Sequence, residues 1–307
     1  MIKVFIDGSA GTTGLRIRER LAGRMDIELI ALSEENRKDP RARKDALNAA
    51  DIAFLCLPDA AAEEAVSLID SPGVAVIDTS TAHRTAAGWV YGMAELRGQR
   101  EKIAASKRVA NPGCHASGFI ALIAPLVAAG VVKPDVQLGC FSITGYSGGG
   151  KKMIAEYEAP DRSPLLSAPR QYGLTQQHKH LKEMAVVCGL TNPPGFSPIV
   201  ADFYSGMEVS VQLFNTNVDE IKSIYKEVYR GPVIQYIEAA DEGGFLSAAA
   251  YSGRDDMEIS VCGSDARALL TARFDNLGKG ASGAAIQNMN LLMGVCETEG
   301  LAIGVNE

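Results

Sequence analysis

A strand-like run, Ile2–Ile6, passes directly into Gly8-Ser9-Ala10-Gly11-Thr12-Thr13-Gly14 and then into an amphipathic stretch, Thr13–Leu21. Leu15, Ile17 and Leu21 line the apolar side of that stretch. Glycines spaced G-x-x-G-x-x-G between a strand and a helix suit a backbone that turns tightly and approaches a ligand with no Cβ in the way. The helix that follows aims its first N–H groups at an anion, the arrangement that holds a dinucleotide pyrophosphate. Ser9, Thr12 and Thr13 add hydroxyl donors. Gly8, Ser9, Ala10, Gly11, Thr12 and Thr13 are therefore the expected cofactor-binding turn.

The same alternation continues. Ile27–Leu32 reads as a strand, Arg41–Ala49 as a helix, Ile52–Leu57 as a strand apolar on both faces, Ala60–Leu68 as a helix and Val74–Asp78 as a strand. A βαβαβ order predicts a parallel sheet with helices on both faces. Beyond residue 112 the pattern changes. Helices are expected at Ala116–Ala129, Lys151–Tyr157, Gln176–Val187 and Asp219–Tyr229, and strands at Val136–Tyr146 and Met207–Leu213. Glu258–Gly263 and Ala266–Asp275 read as a hairpin turning at Ser264-Asp265, followed by a long helix, Lys279–Val295. The fold class is thus α/β, with a Rossmann-type dinucleotide domain over 1–112 and a mixed α+β domain over 113–280.

Composition narrows the function classes. The chain has 307 residues, 47% hydrophobic and 22% charged, the balance of a soluble globular protein. Its formal charge of −7 has the wrong sign for coating nucleic acid. Six cysteines without a C-x-x-C pair point to reduced thiols in a cytoplasmic protein, with no metal site expected. No targeting segment is legible at the N-terminus. The longest uncharged stretch, from Ala116 to Val132, is broken by Gly118, Pro125 and Gly130 and is too short for a membrane span.

Which dinucleotide binds depends on the end of the second strand. An NAD-type site places a carboxylate there for the ribose 2′-hydroxyl. Here Ser33 comes first, with Arg37 and Lys38 just beyond, which suits the 2′-phosphate of NADP. Glu34 and Glu35 would oppose it if they pointed inward.

One cysteine stands apart. Asn111-Pro112-Gly113-Cys114 makes a sharp turn before the apolar helix, so Cys114 sits at a helix N-terminus, where the dipole favours a thiolate. That is the requirement for nucleophilic attack on a carbonyl. The other cysteines read as small packing residues. A base is needed, and the four histidines are His83, His115, His178 and His180. In Gln176-Gln177-His178-Lys179-His180-Leu181-Lys182-Glu183, a helix would put Glu183 on the same face as His180, able to orient its ring. His115 ranks lower, because the backbone directly after Cys114 aims its ring away.

Together with Gly145-Tyr146-Ser147-Gly148-Gly149-Gly150-Lys151 and the run from Asn276 to Asn290, these motifs resemble the N-acetyl-γ-glutamyl-phosphate reductase family, in its shorter form. The motifs span residues 6–293 in the family's order. The resemblance implies a Rossmann domain plus an α+β dehydrogenase domain of the aspartate-semialdehyde type, with residues 281–307 as a C-terminal helix that packs back on the first domain. It also implies NADPH as reductant, a small acyl phosphate as substrate, and a homo-oligomer, with a tetramer expected. On it, Cys114 is the nucleophile, His180 the acid/base, Glu183 its orienter, and His178 a second candidate near the substrate. Asn288 contacts the nicotinamide end of the cofactor. Ser147, Gly148 and Lys151 form an expected phosphate cradle, and Arg84 is a candidate partner for a substrate carboxylate. The family usually carries an aromatic residue after the cysteine, and here that residue is His115. Two other readings are a sister enzyme reducing aspartyl phosphate and a non-catalytic dinucleotide sensor.

Overall fold

The computed structural model describes residues 1–304. The chain divides into two compact units. The first comprises Met1–Ala94, Gly98–Pro112 and Ala281–Leu301; the second comprises Glu95–Arg97, Gly113–Gly280 and the segment from Ala302 onward. Of the expected C-terminal segment, residues 305–307 lie outside the described residues.

The first unit is built on six strands: β1 (Ile2–Asp7), β2 (Ile27–Ile30), β3 (Ile52–Leu55), β4 (Ala75–Asp78), β5 (Val90–Tyr91) and β6 (Arg108–Ala110). They form one parallel sheet in the order β2-β1-β3-β4-β6-β5. The chain leaves β1 toward β2 and returns across it to β3. That puts the topological switch point, where such sheets bind ligands, at the carboxyl end of β1. Helices α1 (Thr12–Leu21), α2 (Pro40–Ala49), α3 (Asp59–Ser67) and α4 (Gln99–Ala104) connect the strands. Two apolar clusters lie on opposite faces of the sheet. One joins Val4, Ile6, Ile17, Phe54 and Ile77 to Ile286 and Met289 of the C-terminal helix. The other joins Phe5, Leu47, Leu55 and Val76. Since β3 contributes Phe54 to one face and Leu55 to the other, its unbroken apolar run follows from double-sided burial.

The second unit carries α5 (Cys114–Ala128), β7 (Gly139–Gly145), α6 (Gly150–Glu158), β8 (Arg170–Gln171), α7 (Leu181–Cys188), β9 (Gly195–Ala201) and β10 (Met207–Phe214). It continues with α8 (Val218–Val228), β11 (Ile234–Tyr236), β12 (Met257–Ser264) and β13 (Arg267–Phe274). Its sheet is mixed, in the order β11-β12-β13-β10-β7-β9-β8. Helix α5 is buried almost all round, with Phe119, Ile120, Leu122 and Ile123 fully covered, as expected of a helix without a polar stripe. Gly118 lets it lie flat on the sheet: a Cβ there would come within 2.5 Å of Val209 Cγ2. Strand β10 alternates buried Val209 and Val211 with more open Ser210 and Gln212, so one sheet face takes α5. On the other face Phe141 and Phe214 stay exposed.

Four expectations shift. The helix expected over Gln176–Val187 begins only at Leu181. Gln176 adopts a φ of 56°, and its amide pairs instead with the backbone of Phe196, accepting from the N–H at 2.8 Å and donating to the oxygen at 2.7 Å. The β12–β13 hairpin turns at Asp265-Ala266, one residue later than expected, because Ser264 pairs with Arg267. The strand expected to start at Val136 begins at Gly139. Finally, the helix expected from Lys279 opens as a wide π-turn, Gly278–Ser282, and α9 runs from Gly283 to Met293. A Cβ at Gly278 would lie 1.9 Å from the Arg254 carbonyl oxygen, so this turn is pinned against neighbouring backbone rather than free to coil as a helix.

Candidate active site

In the first unit the glycine turn has the demanded geometry. Gly8 takes a φ of 84°, and a Cβ on it would stand 2.2 Å from the Cys56 carbonyl oxygen. A Cβ on Gly14 would stand 2.5 Å from the Gly8 oxygen. Gly11 donates its N–H to that same oxygen at 2.9 Å, closing the turn. Helix α1 then starts at Thr12 with no side chain capping it. These residues fit a pyrophosphate. Asp7, the last residue of β1, accepts two hydrogen bonds from buried Arg43 at 3.1 and 3.0 Å, which fixes the strand end. Burial raises its carboxyl above the ordinary value, against the pull of Arg43.

Ser33 and Arg37 lie exposed just beyond β2, with Arg37 Nε paired to Glu34 at 3.1 Å. Asn288, on α9, is fully buried and donates from Nδ2 to the Gly92 oxygen at 2.9 Å and to Asn111 Oδ1 at 3.1 Å. Its own Oδ1 is buried with no hydrogen-bond partner among the described residues, an acceptor left for a bound group. Arg84 is buried, and its guanidinium donates to the carbonyl oxygens of Asn111 and Thr79, both at 3.0 Å. It braces the backbone that leads to the cysteine.

In the second unit Cys114 is the first residue of α5, behind Gly113 in extended conformation. Glu183, buried on the first turn of α7, accepts the Gly113 N–H at 2.9 Å, so its carboxylate clamps the backbone one residue before the thiol. His180 forms the N-cap position of α7 and is also buried. The expectation that His180 and Glu183 lie on one helix face therefore becomes an N-cap and first-turn pair. The rings of His115, His178 and His180 stand together, with centroids 4.8 Å apart for His178–His180 and 5.6 Å for His115–His180. His178 Nδ1 accepts the His180 backbone N–H at 3.3 Å. Phe196, on β9, packs edge-on against both His115 and His178. Burial and the nearby Lys179 charge hold the His178 imidazole below its ordinary range.

The segment after β13 brackets this site. Gly280 lies so close to the nucleophile candidate that a Cβ there would come within 2.9 Å of Cys114 Cβ. Four residues earlier, Asn276 donates to Ser147 Oγ at 3.0 Å and accepts the Gly206 N–H at 2.9 Å. Between them, Lys279 is buried and paired with buried Glu95 at 2.8 and 3.0 Å. Ser147 is buried and Gly148 exposed in the tight turn before α6, and Lys151 is exposed in the first turn of that helix. Sequence reasoning missed Tyr172, Ser142 and Glu95. None sits in a motif, and each reaches its partner only through the tertiary fold.

His115 gives a pH prediction. Burial and the charges of His178 and Lys179 push its imidazole from 6.5 down to about 3. The folded state refuses a proton that the unfolded chain accepts below about pH 6.5, so stability is intact above that pH and falls toward pH 3. His115→Phe removes this site of proton uptake. In urea titrations, its loss of stability between pH 6.5 and 4.5 is expected to be shallower than the wild type's by about 1–2 kcal/mol. Parallel pH curves would refute the assignment.

Two family models match the chain: the semialdehyde dehydrogenase NAD binding domain over residues 3–106, and the semialdehyde dehydrogenase dimerisation domain over 114–276. N-acetyl-γ-glutamyl-phosphate reductase 2 of Nostoc sp. is 45% identical, covering 97% of this chain and 99% of that protein. N-acetyl-γ-glutamyl-phosphate reductase of Brucella anthropi is 46% identical over 95% of this chain and 98% of its own length. Among solved structures, aspartate semialdehyde dehydrogenase II from Vibrio cholerae aligns with a TM-score of 0.71 at 17% identity, over 95% of this chain and 98% of that one. The enzyme from Francisella tularensis aligns with a TM-score of 0.72 at 16% identity, over 95% and 100%. At that identity the likeness speaks for the fold. Since close relatives match along nearly its whole length, the chain belongs to the N-acetyl-γ-glutamyl-phosphate reductase family.

Proposed function

We propose that this chain reduces N-acetyl-γ-glutamyl phosphate to N-acetylglutamate 5-semialdehyde, a step of arginine biosynthesis, through a thioester on Cys114. The observation that carries the reading is Cys114 at the start of α5, clamped by Glu183 through Gly113 and grouped with His178 and His180 in one unit. The Cys114 thiolate attacks the γ-acyl carbon; the carbon–oxygen bond to phosphate breaks, and phosphate leaves with the electron pair. N–H groups of the first turn of α5 stabilise the oxyanion that forms on the way. When bound, a reduced nicotinamide supplies the hydride that brings the acyl group to the aldehyde level. His180 gives a proton to the alkoxide and takes it back as the carbon–sulfur bond breaks, which frees the aldehyde and restores the thiolate. Glu183 holds the Gly113–Cys114 backbone, His178 borders the acyl group, and Ser147, Gly148 and Lys151 receive the phosphate.

Gly8 to Thr13 hold the pyrophosphate, and Asn288 offers Oδ1 to the nicotinamide end. NADPH is the reductant, with Ser33 and Arg37 receiving the 2′-phosphate. The protein works as a homo-oligomer, a reading supported by Phe141 and Phe214 standing exposed on the open sheet face. It is a cytoplasmic enzyme; among the described residues no helix is long and apolar enough to cross a membrane.

The test is oxidation of NADPH and NADH, side by side, with N-acetyl-γ-glutamyl phosphate and with aspartyl phosphate. Turnover of the first substrate with NADPH supports the reading, and turnover of aspartyl phosphate alone overturns it. Arg37→Ala should raise the KM for NADPH about tenfold and leave NADH unaffected, because one charge-assisted contact to the phosphate is lost. Equal effects on both cofactors would remove Arg37 from the site.

A further inference from the structure

The mechanism leaves His115 without a task, although it is buried and both of its ring nitrogens are engaged. Nδ1 lies 2.7 Å from Ser142 Oγ, and Nε2 lies 2.6 Å from the Tyr172 hydroxyl. The ring stays neutral, since burial and the neighbouring charges of His178 and Lys179 oppose a second proton. A neutral imidazole carries one N–H and one acceptor, so the two contacts have opposite polarity.

Proton counting selects the tautomer. Ser142, on β7, is almost wholly buried, and among the described residues His115 Nδ1 is its hydroxyl's one hydrogen-bond contact. If Nδ1 carried the proton, the Ser142 O–H would be a buried donor with nowhere to point, a costly arrangement. With the Ser142 O–H donating to Nδ1, every proton is placed: Nε2–H then donates to the Tyr172 oxygen. The phenolic proton is turned away from His115. Tyr172 is partly exposed, and both its burial and the nearby Cys114 thiolate charge keep the phenol protonated.

We propose that His115 is a positioning residue, which takes the Ser142 O–H at Nδ1, donates Nε2–H to the Tyr172 oxygen and so commits the Tyr172 O–H to donate to the oxygen of an acyl group on Cys114. The chain Ser142→His115→Tyr172 runs from the sheet, through the residue that directly follows Cys114 in α5, to a half-buried hydroxyl. The inference rests on the reading of Cys114 as the acyl carrier. It gives a purpose to a histidine where the family usually carries an aromatic ring: a ring of similar size that also sets the direction of a hydrogen bond.

The test has an arm that needs no turnover. In the full chain labelled with [15N]histidine, with His115 assigned by comparison with His115→Phe, its ring should appear as the neutral Nε2–H tautomer throughout about pH 5–8. Ser142→Ala should move that signal toward the Nδ1–H tautomer. A wild-type Nδ1–H tautomer, or a His115 that titrates in that range, overturns the proposal. In the kinetic arm, His115→Phe keeps the ring but removes both nitrogens, and kcat should fall roughly 10- to 100-fold with KM little changed. Tyr172→Phe should cost about the same, and the double variant no more than either single one, because the two act in series. His115→Gln, which keeps an N–H for Tyr172, should recover a substantial part of kcat. Additive losses, or a Gln variant as slow as the Phe variant, overturn the proposal. Should the wild type lack reductase activity altogether, the functional reading fails, and the tautomer measurement alone decides the hydrogen-bond direction.

Discussion

Cys114→Ala should lose about 10⁴-fold or more in kcat while still binding NADPH with unchanged affinity. The size follows from what the thiol does. Without it no covalent acyl intermediate forms, and hydride transfer would have to occur on the acyl phosphate itself, with no sulfur to hold the carbon in place. The retained binding follows from the division of the chain, because the glycine turn and the thiol belong to separate compact units. Cys114 is only partly exposed at the first position of α5, and alanine is a better helix former there, so the fold should not suffer. Three measurements make the claim sharp: steady-state reduction, mass spectrometry for an acyl adduct after mixing with substrate alone, and cofactor titration by fluorescence. The wild type should gain the mass of one acyl group and the variant none. A variant that turns over within tenfold of the wild type would sink the thioester mechanism. Loss of NADPH binding would instead mean that the substitution had damaged the fold. A non-catalytic sensor would show no adduct in either protein.

The parts legible in the sequence are those whose physics is local. The turn after β1 was readable because a φ of 84° at Gly8 and a near-collision at Gly14 both demand glycine within a few residues of a strand and a helix. Cys114 was readable because Pro112-Gly113 sets a turn immediately before an apolar helix. The composition of the stretch from Gln176 to His180 allows a helix, yet α7 starts only at Leu181. What prevents one is the Phe196 backbone, 20 residues away, which captures the Gln176 amide on both sides. The role of Glu183 illustrates the same limit. Spacing puts it within reach of His180, whereas the bond its carboxylate accepts from Gly113 N–H at 2.9 Å, 70 residues distant, is legible only in the fold. Ser142, Tyr172 and Glu95 carry no motif, and only the closed sheet and the 274–280 bracket bring them to the site.

That bracket supports the second large prediction: Lys279→Ala should destabilise the second unit by about 3–5 kcal/mol. The Lys279 and Glu95 side chains are only 2% and 5% exposed, so neither end of the pair can turn to water. Taking both charges out of solvent is itself costly, and the two short contacts between them offset part of that cost. Removing the ammonium takes from the Glu95 carboxylate the two charge-assisted contacts it accepts from Lys279, away from water that could replace them, which is the expensive case. If that carboxylate is the cause, removing it as well should restore most of the loss, so Glu95→Leu/Lys279→Met should unfold close to the wild-type urea concentration while either single change does not. Position matters as much as energy. Lys279 immediately precedes Gly280, whose backbone lies against Cys114, and follows Asn276, which holds Ser147. The single variant should therefore also reduce kcat at temperatures where it remains folded, and the double variant should regain part of it. Iodoacetamide reactivity of Cys114, read by mass spectrometry, reports on that wall without turnover and should rise in Lys279→Ala. A loss below about 1 kcal/mol in Lys279→Ala, the range of a solvent-exposed pair, would show that the ion pair does not hold the wall beside the thiol.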